Sequence, residues 1–334
     1  MDILCIVTKE HIPLALAEIE ELLRVPAARM RDDAFIISLP PKQTTLIARL
    51  AFTHQASEII FSCSAQNFRE TLEKFPLKFK GSFAVKMNTD KGTPALSQEK
   101  SFELTPAAIG GIIWKKQKNP RVDLKNPDVI FDVVIAHPHE IYLCRRIFTN
   151  DARFNERKAH KRPVLHPSSM HPRLARCIVN LSSSKKAILD PLCGSGGILL
   201  EAGLLGLKIT GIDIDAKLLE SSKKNLEGYS IPRRQFTLIK GDSTNLTALV
   251  KETEAIVTDF PYGLHSKAPQ ELAQFYETML GQFALVSARA VVVMPDFIDA
   301  EAIISKTRLH IRRRFSFYVH KSLTRMIFVL DMPA

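Results

Sequence analysis

A glycine-rich turn at residues 190–197 has residue types suited to binding a small molecule. It reads Asp-Pro-Leu-Cys-Gly-Ser-Gly-Gly and joins a predicted strand to a predicted helix. Glycines at a helix start let backbone amides approach a ligand closely, and the helix N-terminus favours a carboxylate. Asp190 could accept a hydrogen bond from an ammonium group, but it would be unfavourable beside a pyrophosphate, and the third glycine of a dinucleotide fingerprint is replaced by Leu199. The turn therefore favours the methionine end of S-adenosylmethionine over a nicotinamide cofactor.

Two more acids follow the next two predicted strands. Asp213 ends the strand 208–213, where a carboxylate can accept both hydroxyls of a ribose, and Asp242 could accept an adenine amine while Ile214 packs on the ring. Each acid alone could be a helix cap or a turn residue, but acids at three successive strand ends predict a nucleoside cofactor. The predicted cofactor-binding residues are Asp190, Pro191, Cys193, Gly194, Ser195, Gly196, Asp213, Ile214, Asp242 and Ser243.

A fourth predicted strand ends in Asp259-Phe260-Pro261-Tyr262, which could hold a substrate amine. A nucleobase amine is a poor nucleophile because its lone pair is delocalised into the ring, so two acceptors must hold its hydrogens and aim the lone pair at an electrophilic methyl group. Asp259 supplies one acceptor and the main-chain carbonyl of Phe260 the other, while Tyr262 offers a face on which an extruded base can stack. We predict that Asp259, Phe260, Pro261 and Tyr262 are catalytic; the alternative is a strand that ends in a proline-containing turn.

The positive charge of the chain is concentrated in two stretches. The formal net charge is +11, of which residues 145–186 carry +9 and residues 302–330 carry +7, so the rest of the chain sums to −5. Such a concentration predicts a surface that contacts phosphates. The alternative is two solvated faces that keep the protein soluble.

The composition excludes several classes of protein. With 46% hydrophobic and 24% charged residues among 334, the chain is not of the disordered or fibrous type. It has no run of roughly 18 to 20 apolar residues that a membrane helix needs. The five cysteines lie far apart without a Cys-x-x-Cys pair, and His160, His166 and His171 have no partner at metal-ligand spacing. We therefore expect a cytoplasmic protein without a membrane segment, a disulfide framework or a bound metal.

Four parts are predicted along the chain. Residues 1–66 form a small α+β unit, residues 67–149 a second one, and residues 150–167 a basic linker poor in periodicity. In residues 168–334, apolar runs alternate with helical patterns, which predicts a mostly parallel sheet covered on both faces. The short turn between the last two strands predicts that they pair antiparallel.

The C-terminal half resembles the class I S-adenosylmethionine-dependent methyltransferases that act on exocyclic amines of nucleic-acid bases, whose signature reads Asp/Asn-Pro-Pro-Tyr. More narrowly, nearly the whole chain resembles the archaeal tRNA guanosine-10 N2-methyltransferase family. The supporting stretches are residues 81–86, 109–113, 122–128, 162–163, 166–170, 173–176 and 320–325.

The resemblance implies an α/β fold with a Rossmann-like methyltransferase domain at 168–334, whose seven-stranded sheet has an antiparallel last strand. It also implies a ferredoxin-like unit at 1–66, a THUMP RNA-binding domain at 67–149, and a single chain that adds one or two methyl groups to N2 of a guanosine in tRNA. The basic residues expected to contact the RNA are Lys86, Arg145, Arg146, Arg153, Arg157, Lys158, Lys161, Arg162, Arg173, Arg312, Arg313, Arg314, Lys321 and Arg325.

Phe260 departs from the family signature, because it stands where the first proline is usual. Its carbonyl is retained, but the fixed φ of proline is lost, which affects base geometry and the choice of one or two methylations. Three other functions are compatible with parts of the sequence. They are the same chemistry on another tRNA position, ribosomal RNA or adenine N6; RNA binding without catalysis; and nicotinamide-dependent oxidoreduction, which the missing third glycine disfavours.

Overall fold

The computed structural model describes residues 1–88, 104–136, 140–165, 169–263 and 269–332. The chain divides into two compact units. The first consists of residues 1–12, 25–48 and 53–150, and the second of residues 13–24, 49–52 and 151–334. No helix among the described residues is both long enough and apolar enough to cross a membrane.

The first unit is built on one eight-stranded sheet with the order β2-β3-β1-β4-β8-β7-β5-β6. Its pairings are antiparallel except for the parallel pairs of β5 with β6 and with β7. The strands are β1 (Asp2–Val7), β2 (Ala27–Arg31), β3 (Ala34–Ser38), β4 (Thr53–Ser64), β5 (Ser82–Asn88), β6 (Arg121–Val122), β7 (Val129–Ala136) and β8 (Glu140–Thr149).

Two helices of this unit, α2 (Phe68–Lys74) and α3 (Pro106–Lys115), pack on one face of the sheet. Phe131, Val133 and Ile135 of β7 point to these helices, as alternation along a strand requires. Helix α3 begins as the sequence predicts, with Pro106 in its first turn and the Thr105 hydroxyl accepting from the amide of Ala108 at 3.2 Å. Strands from both 1–66 and 67–149 share this sheet, so the division between these two ranges stays a prediction.

The second unit is built on a seven-stranded sheet with the order β11-β10-β9-β12-β13-β15-β14. Its strands are β9 (Ala187–Asp190), β10 (Lys208–Asp213), β11 (Phe236–Lys240), β12 (Ile256–Asp259), β13 (Arg289–Pro295), β14 (His310–His320) and β15 (Leu323–Asp331). All neighbours are parallel except β15, which is antiparallel to both β13 and β14. This confirms the predicted α/β class with a mostly parallel seven-stranded sheet, and the predicted pairing of the last two strands.

Most helices of the second unit alternate with its strands. They are α1 (Ile12–Leu23), α4 (Pro172–Leu181), α5 (Gly197–Leu204), α6 (Ala216–Gly228), α7 (Leu246–Leu249), α8 (Pro269–Val286) and α9 (Ala300–Ser305). Residues of α8 and α9 pack on alternate residues of β13 and β15, such as Val292 and Phe328, in an apolar core. All of α1 except Ile12, its first residue, lies in this unit, although it comes early in the sequence.

Buried carboxylates attach α1 to the rest of the second unit. Glu18 accepts hydrogen bonds from the amides of Ala51 and Phe52 at 2.8 and 3.0 Å and from Nδ2 of Asn180 at 2.7 Å. Glu21 accepts from three arginines of the last strands, Arg289, Arg312 and Arg313, at 2.8–3.0 Å. Because a buried charge must be paired, these bonds hold α1 in place.

Residues 151–162 belong to the segment that the sequence predicts to be a basic linker. They form two short 3₁₀ helices, Phe154–Arg157 and Ala159–Lys161, within the second unit. Phe154 is buried with three arginine guanidiniums 5.2–5.7 Å from its ring, and this packing gives the segment a defined structure. His166, Pro167 and Ser168, where the linker and the methyltransferase domain are predicted to meet, lie outside the described residues.

Candidate functional site

The order of the second sheet brings the four predicted acids to one edge. Strands β11, β10, β9 and β12 are parallel neighbours, and Asp213 pairs with Lys240, just before Asp242, while Gly211 pairs with Asp190. The carboxyl ends of these strands therefore lie side by side, where open α/β sheets bind their ligands. Asp190, Asp213, Asp242 and Asp259 follow from neighbouring strands at this edge.

The glycine-rich turn has a backbone that requires its glycines. Gly194 and Gly196 have φ values of +51° and +81°, which side chains rarely adopt. A Cβ atom on Gly196 would also lie 2.3 Å from the Ser222 hydroxyl oxygen. Ser195 is fixed by its carbonyl, which accepts from Nδ2 of Asn225 at 3.0 Å, and its hydroxyl lies 3.4 Å from that of Ser169. The turn is therefore held in shape by α6.

Asp213 is fastened to the glycine-rich turn. Its Oδ2 accepts from the amide of Gly194 and its Oδ1 from the amide of Asp215, each at 2.9 Å. A carboxylate oxygen has a second lone pair, so both oxygens can still accept a ligand hydroxyl. Asp213 is thus oriented in advance for the predicted ribose contact.

The adenine side of the predicted pocket is open. Ile214 is 68% exposed, and Asp242 is exposed with its Oδ1 accepting from the amide and hydroxyl of Thr244 at 2.9 and 2.8 Å. The Ser243 hydroxyl donates to the carbonyl of Pro191 at 2.6 Å, which ties the turn after β11 to the turn after β9. The exposed apolar side chain beside an exposed acceptor suits a purine ring with an exocyclic amine.

Asp190 and Cys193 are buried at the turn, and their contact with a cofactor stays a prediction. The Asp190 side chain accepts from the Thr258 hydroxyl at 2.8 Å and the amide of Leu192 at 3.2 Å, and its burial raises its pKa to about 7. Burial raises the pKa of the Cys193 thiol well above its usual value, so Cys193 is not a reactive thiolate. Both residues shape the turn from below.

The acceptor segment after β12 contains a connected polar cluster. The Tyr262 hydroxyl donates to Oδ1 of Asp259, and Arg325 reaches both residues, with Nε 2.6 Å from the Tyr262 oxygen and Nη2 3.3 Å from Oδ2 of Asp259. The Arg325 guanidinium also lies 5.5 Å from the centre of the Tyr262 ring. Burial raises the pKa of Asp259 to about 6, although the charge of Arg325 opposes the rise.

Phe260 has a packing role that the sequence does not reveal. Its ring is buried, with the rings of Tyr276 and Phe283 on α8 at 4.6 and 5.9 Å. The Tyr276 hydroxyl donates to the carbonyl of Pro261 at 2.6 Å, and the amide of Phe260 donates to the carbonyl of Val293 at 2.9 Å. These contacts restrain the acceptor segment at the position where the family signature has its first proline.

Several arginines predicted to face RNA are instead buried. Arg146 pairs with the buried Asp132 inside the first unit, Arg157 pairs with Glu201, and Arg325 belongs to the acceptor cluster. Arg162 is 6% exposed, and its Nη1 and Nη2 have no hydrogen-bond partner among the described residues. Arg313 is half-buried and pairs with Glu20 and Glu21. The buried positions of Arg157, Arg162 and Arg325 correct the sequence prediction, because a buried guanidinium cannot reach a phosphate backbone. Arg146 and Arg313 are part-exposed but already paired with carboxylates.

The other predicted RNA-contacting residues are at least partly accessible. Arg145, Arg312 and Arg314 are exposed but paired with Glu58, Glu21 and Glu301 respectively. Lys158 and Arg173 are half-buried, and Lys86, Arg153, Lys161 and Lys321 are exposed. Their contact with RNA stays a prediction.

Sequence reasoning missed Arg325 as a member of the site, although a signal was present. Arg325, Ile327 and Val329 alternate along β15, and the two apolar residues are fully buried. A period of two therefore places Arg325 on the same face of β15 as these two residues. No group of three or more potential metal-ligating side chains occurs in the described ranges.

Known proteins match this chain along its whole length. Residues 159–327 match the family model of the RMKL-like methyltransferase domain. The chain is 33% identical to the tRNA (guanine(10)-N2)-dimethyltransferase of Methanothermobacter thermautotrophicus, with 99% of each chain covered. It is 31% identical to the protein of the same name from Pyrococcus abyssi, covering 95% of this chain and 96% of the relative. A crystal structure of TrmN from Thermus thermophilus shares the fold, with a TM-score of 0.53 and 18% identity over 100% of both chains.

Proposed function

We propose a reaction for this protein from one premise: the chain belongs to the tRNA (guanine(10)-N2)-dimethyltransferase family. It is an S-adenosylmethionine-dependent methyltransferase that methylates the exocyclic N2 of a guanosine in tRNA, at position 10. The observation that carries the assignment of residues is the sheet order β11-β10-β9-β12, which brings the cofactor acids and Asp259 to one edge.

The residues at this edge fit S-adenosylmethionine, which supplies an electrophilic methyl group when bound. Asp213 would hold the ribose hydroxyls, and Asp242 the adenine amine beside Ile214. Gly194 and Gly196 carry no side chain that would block close approach to the backbone of the turn. These roles agree with the open, oriented arrangement of Asp213 and Asp242 described above.

Asp259 would hold the substrate amine. One oxygen of its carboxylate accepts a hydrogen from N2, and the main-chain carbonyl of Phe260 accepts the other, so that the N2 lone pair points at the methyl group. As the new carbon–nitrogen bond forms, the carbon–sulfur bond of the methyl donor would break and N2 would become positively charged. The nitrogen would then lose one proton, for which Asp259 is the nearest base in the segment. Tyr262 must leave Asp259 before its ring can stack on the guanine.

The accessible basic residues would bring the RNA backbone to this edge. Binding through phosphates weakens steeply as the salt concentration rises. The proposed RNA-facing residues are Lys86, Arg145, Arg153, Lys158, Lys161, Arg173, Arg312, Arg314 and Lys321. Residues 1–66 and 67–149 would supply the ferredoxin-like and THUMP parts, and the single chain would act in the cytoplasm without an activator.

Nucleoside analysis tests this proposal directly. Unmodified tRNA is incubated with S-adenosylmethionine and either the native protein or Asp259→Ala, and its nucleosides are identified by mass spectrometry. We expect N2-methylguanosine and its dimethyl form with the native protein only, and loss of both when guanosine 10 is replaced by adenosine. Parallel reactions with ribosomal RNA and DNA test the rival targets. Methylation confined to either of them would overturn the tRNA assignment.

A further inference from the structure

Arg325 lies at the acceptor site, in a position that the strand register fixes. It is 6% exposed. In β15 it pairs with Pro295 of β13 on one side and with Phe317 of β14 on the other. Because its backbone is hydrogen-bonded between two strands, the guanidinium of Arg325 extends from a fixed position. Lys321, in the turn before β15, is exposed by contrast.

The hydrogen bonds of Arg325 determine how Asp259 and Tyr262 are arranged. A guanidinium only donates, so the Tyr262 oxygen accepts from Nε of Arg325 and its single hydrogen is directed to Oδ1 of Asp259. Nη2 contacts the other oxygen, Oδ2. Arg325 therefore contacts Asp259 twice, once directly and once through the tyrosine hydroxyl.

A substrate amine that bonds to Oδ1 must replace the Tyr262 hydroxyl, while the contact of Arg325 with Oδ2 can persist. We propose that Arg325 is a positioning residue for methyl transfer, which holds Oδ2 of Asp259 so that Oδ1 can exchange the Tyr262 hydroxyl for the guanine amine. This inference rests on the proposed function, because it takes the guanosine N2 as the group that enters. It replaces the role in RNA contact that the sequence predicts for Arg325.

Arg325 is the cation that faces Asp259 among several acidic groups. Asp190 of β9 adds negative charge when it is ionised, and the two phenols nearby, Tyr262 and Tyr276 of α8, have pKa values raised by burial and by Asp259. Arg325 is the charge that opposes the raised pKa of Asp259. The form that accepts the amine hydrogen is the anion, so turnover falls as pH falls through a pKa of about 6. Loss of Arg325 moves that fall to higher pH.

Two substitutions of Arg325 test the proposal. We expect Arg325→Gln to lower kcat by about 100-fold, because misplacing a reacting group costs that much, and to move the acid limb of the pH profile upward by about one unit. Arg325→Lys keeps the charge but replaces two donor nitrogens with one, and we expect a loss of about 10-fold with an acid limb near that of the native protein. Calorimetry should give both variants the native affinity for S-adenosylmethionine.

Arg146→Gln is the matched control, because it also breaks a buried Arg–Asp pair but lies in the first unit. We expect it to lower the melting temperature without moving the acid limb. If Arg325→Gln weakens tRNA binding and its salt dependence while kcat and the acid limb stay native, Arg325 is an RNA contact and the proposal is wrong.

A second readout separates this proposal from the proposed function. Carbon-13 NMR of the Asp259 carboxyl group gives its titration midpoint without any substrate, with Asp259→Asn used to assign the signal. We expect a higher midpoint in Arg325→Gln than in the native protein, and equal midpoints would refute the positioning role. If the native protein methylates no guanosine while the midpoint still moves, the proposed function fails and the coupling of Arg325 to Asp259 stands.

Discussion

The acids at the proposed site fall into two halves that differ in their hydrogen-bond partners. At the ends of β10 and β11, Asp213 and Asp242 accept hydrogen bonds from nearby amides or from their own turn, and Asp242 is exposed. At the end of β12, Asp259 is bonded to the side chains of Tyr262 and Arg325. The proposed cofactor half, at the ends of β10 and β11, is therefore formed before any ligand binds. The proposed acceptor half, at the end of β12, would have to exchange internal hydrogen bonds for those of the substrate.

This difference assigns selectivity to the acceptor half. When the Tyr262 hydroxyl leaves Asp259, the entering group must donate a hydrogen bond in its place, since an unpaired buried carboxylate is costly. A base edge without a donor therefore cannot open the cluster. The cofactor half makes no such demand, because both oxygens of Asp213 have lone pairs to spare.

Asp213→Ala should have the largest effect and should be confined to the cofactor half. We expect the Kd for S-adenosylmethionine to rise about 100-fold, because two hydrogen bonds to a charged group are lost at about 1.5 kcal/mol each or more. Isothermal titration calorimetry measures it. Asp215→Ala is the control: Asp215 caps α6 through the amide of Lys217 at 2.7 Å, so its loss should lower stability and leave the Kd native. An unchanged Kd in Asp213→Ala would contradict the assignment of Asp213 to the cofactor half.

Asp190→Asn should stabilise the protein at alkaline pH. The folded state raises the pKa of Asp190 from 3.8 to about 7, so the folded state binds the proton more tightly, and the stability from this group is lost as pH rises from about 4 to about 7. Asparagine keeps an acceptor for Thr258 and Leu192 but cannot ionise. Between pH 5 and pH 8 we expect the variant to gain about 2 kcal/mol relative to the native protein, measured by urea unfolding without ligand. If the free energies of unfolding of the variant and the native protein differ by the same amount at pH 5 and pH 8, this prediction is wrong.

Tyr276→Phe should affect only the acceptor half, and by less. It removes the hydrogen bond to the carbonyl of Pro261 and keeps the ring that packs on Phe260. We expect kcat to fall by about 3- to 10-fold, as the loss of about 1 kcal/mol of positioning implies, with native affinity for S-adenosylmethionine. Tyr318→Phe, on an exposed tyrosine of β14, should leave kcat unchanged. A change in cofactor affinity in Tyr276→Phe would show that the halves are coupled.

Lys321→Gln should have the smallest effect. Lys321 is exposed and near Arg325 in the chain, so it tests the surface prediction beside the buried residue. We expect tRNA affinity to fall by about twofold and the slope of log affinity against log salt to decrease by about one, as for one phosphate contact. Filter binding over a salt series measures both. A native slope would remove Lys321 from the proposed RNA surface.

The sequence predicts the placement of the proposed cofactor residues well because their motifs are local. Asp213 and the glycine-rich turn are recognised from short motifs, and the alternation of strands and helices predicts a parallel sheet that brings them to one edge. The acceptor half is only partly predictable. Asp259 and Tyr262 lie in a motif, but Arg325 reaches them from 63 and 66 positions away, and no local pattern encodes such a pairing.

The same limit explains the arginines that the sequence assigns to RNA. A basic stretch is visible in the sequence, but the carboxylates that neutralise it are distant. Arg157 meets Glu201 across 44 positions, and Arg313 meets Glu21 across 292. Net charge per segment therefore overstates the number of free cations.

The position of α1 has a consequence for how the protein is made. Glu21 leaves the ribosome early, but its partners Arg289, Arg312 and Arg313 follow 268 to 292 residues later. At roughly 5 to 20 residues per second, the arginines that bond to α1 are synthesised about 15 to 60 seconds after the helix itself. The second unit can therefore complete its folding only when translation is almost finished. In a nascent chain stalled before residue 289, α1 should be accessible to proteases.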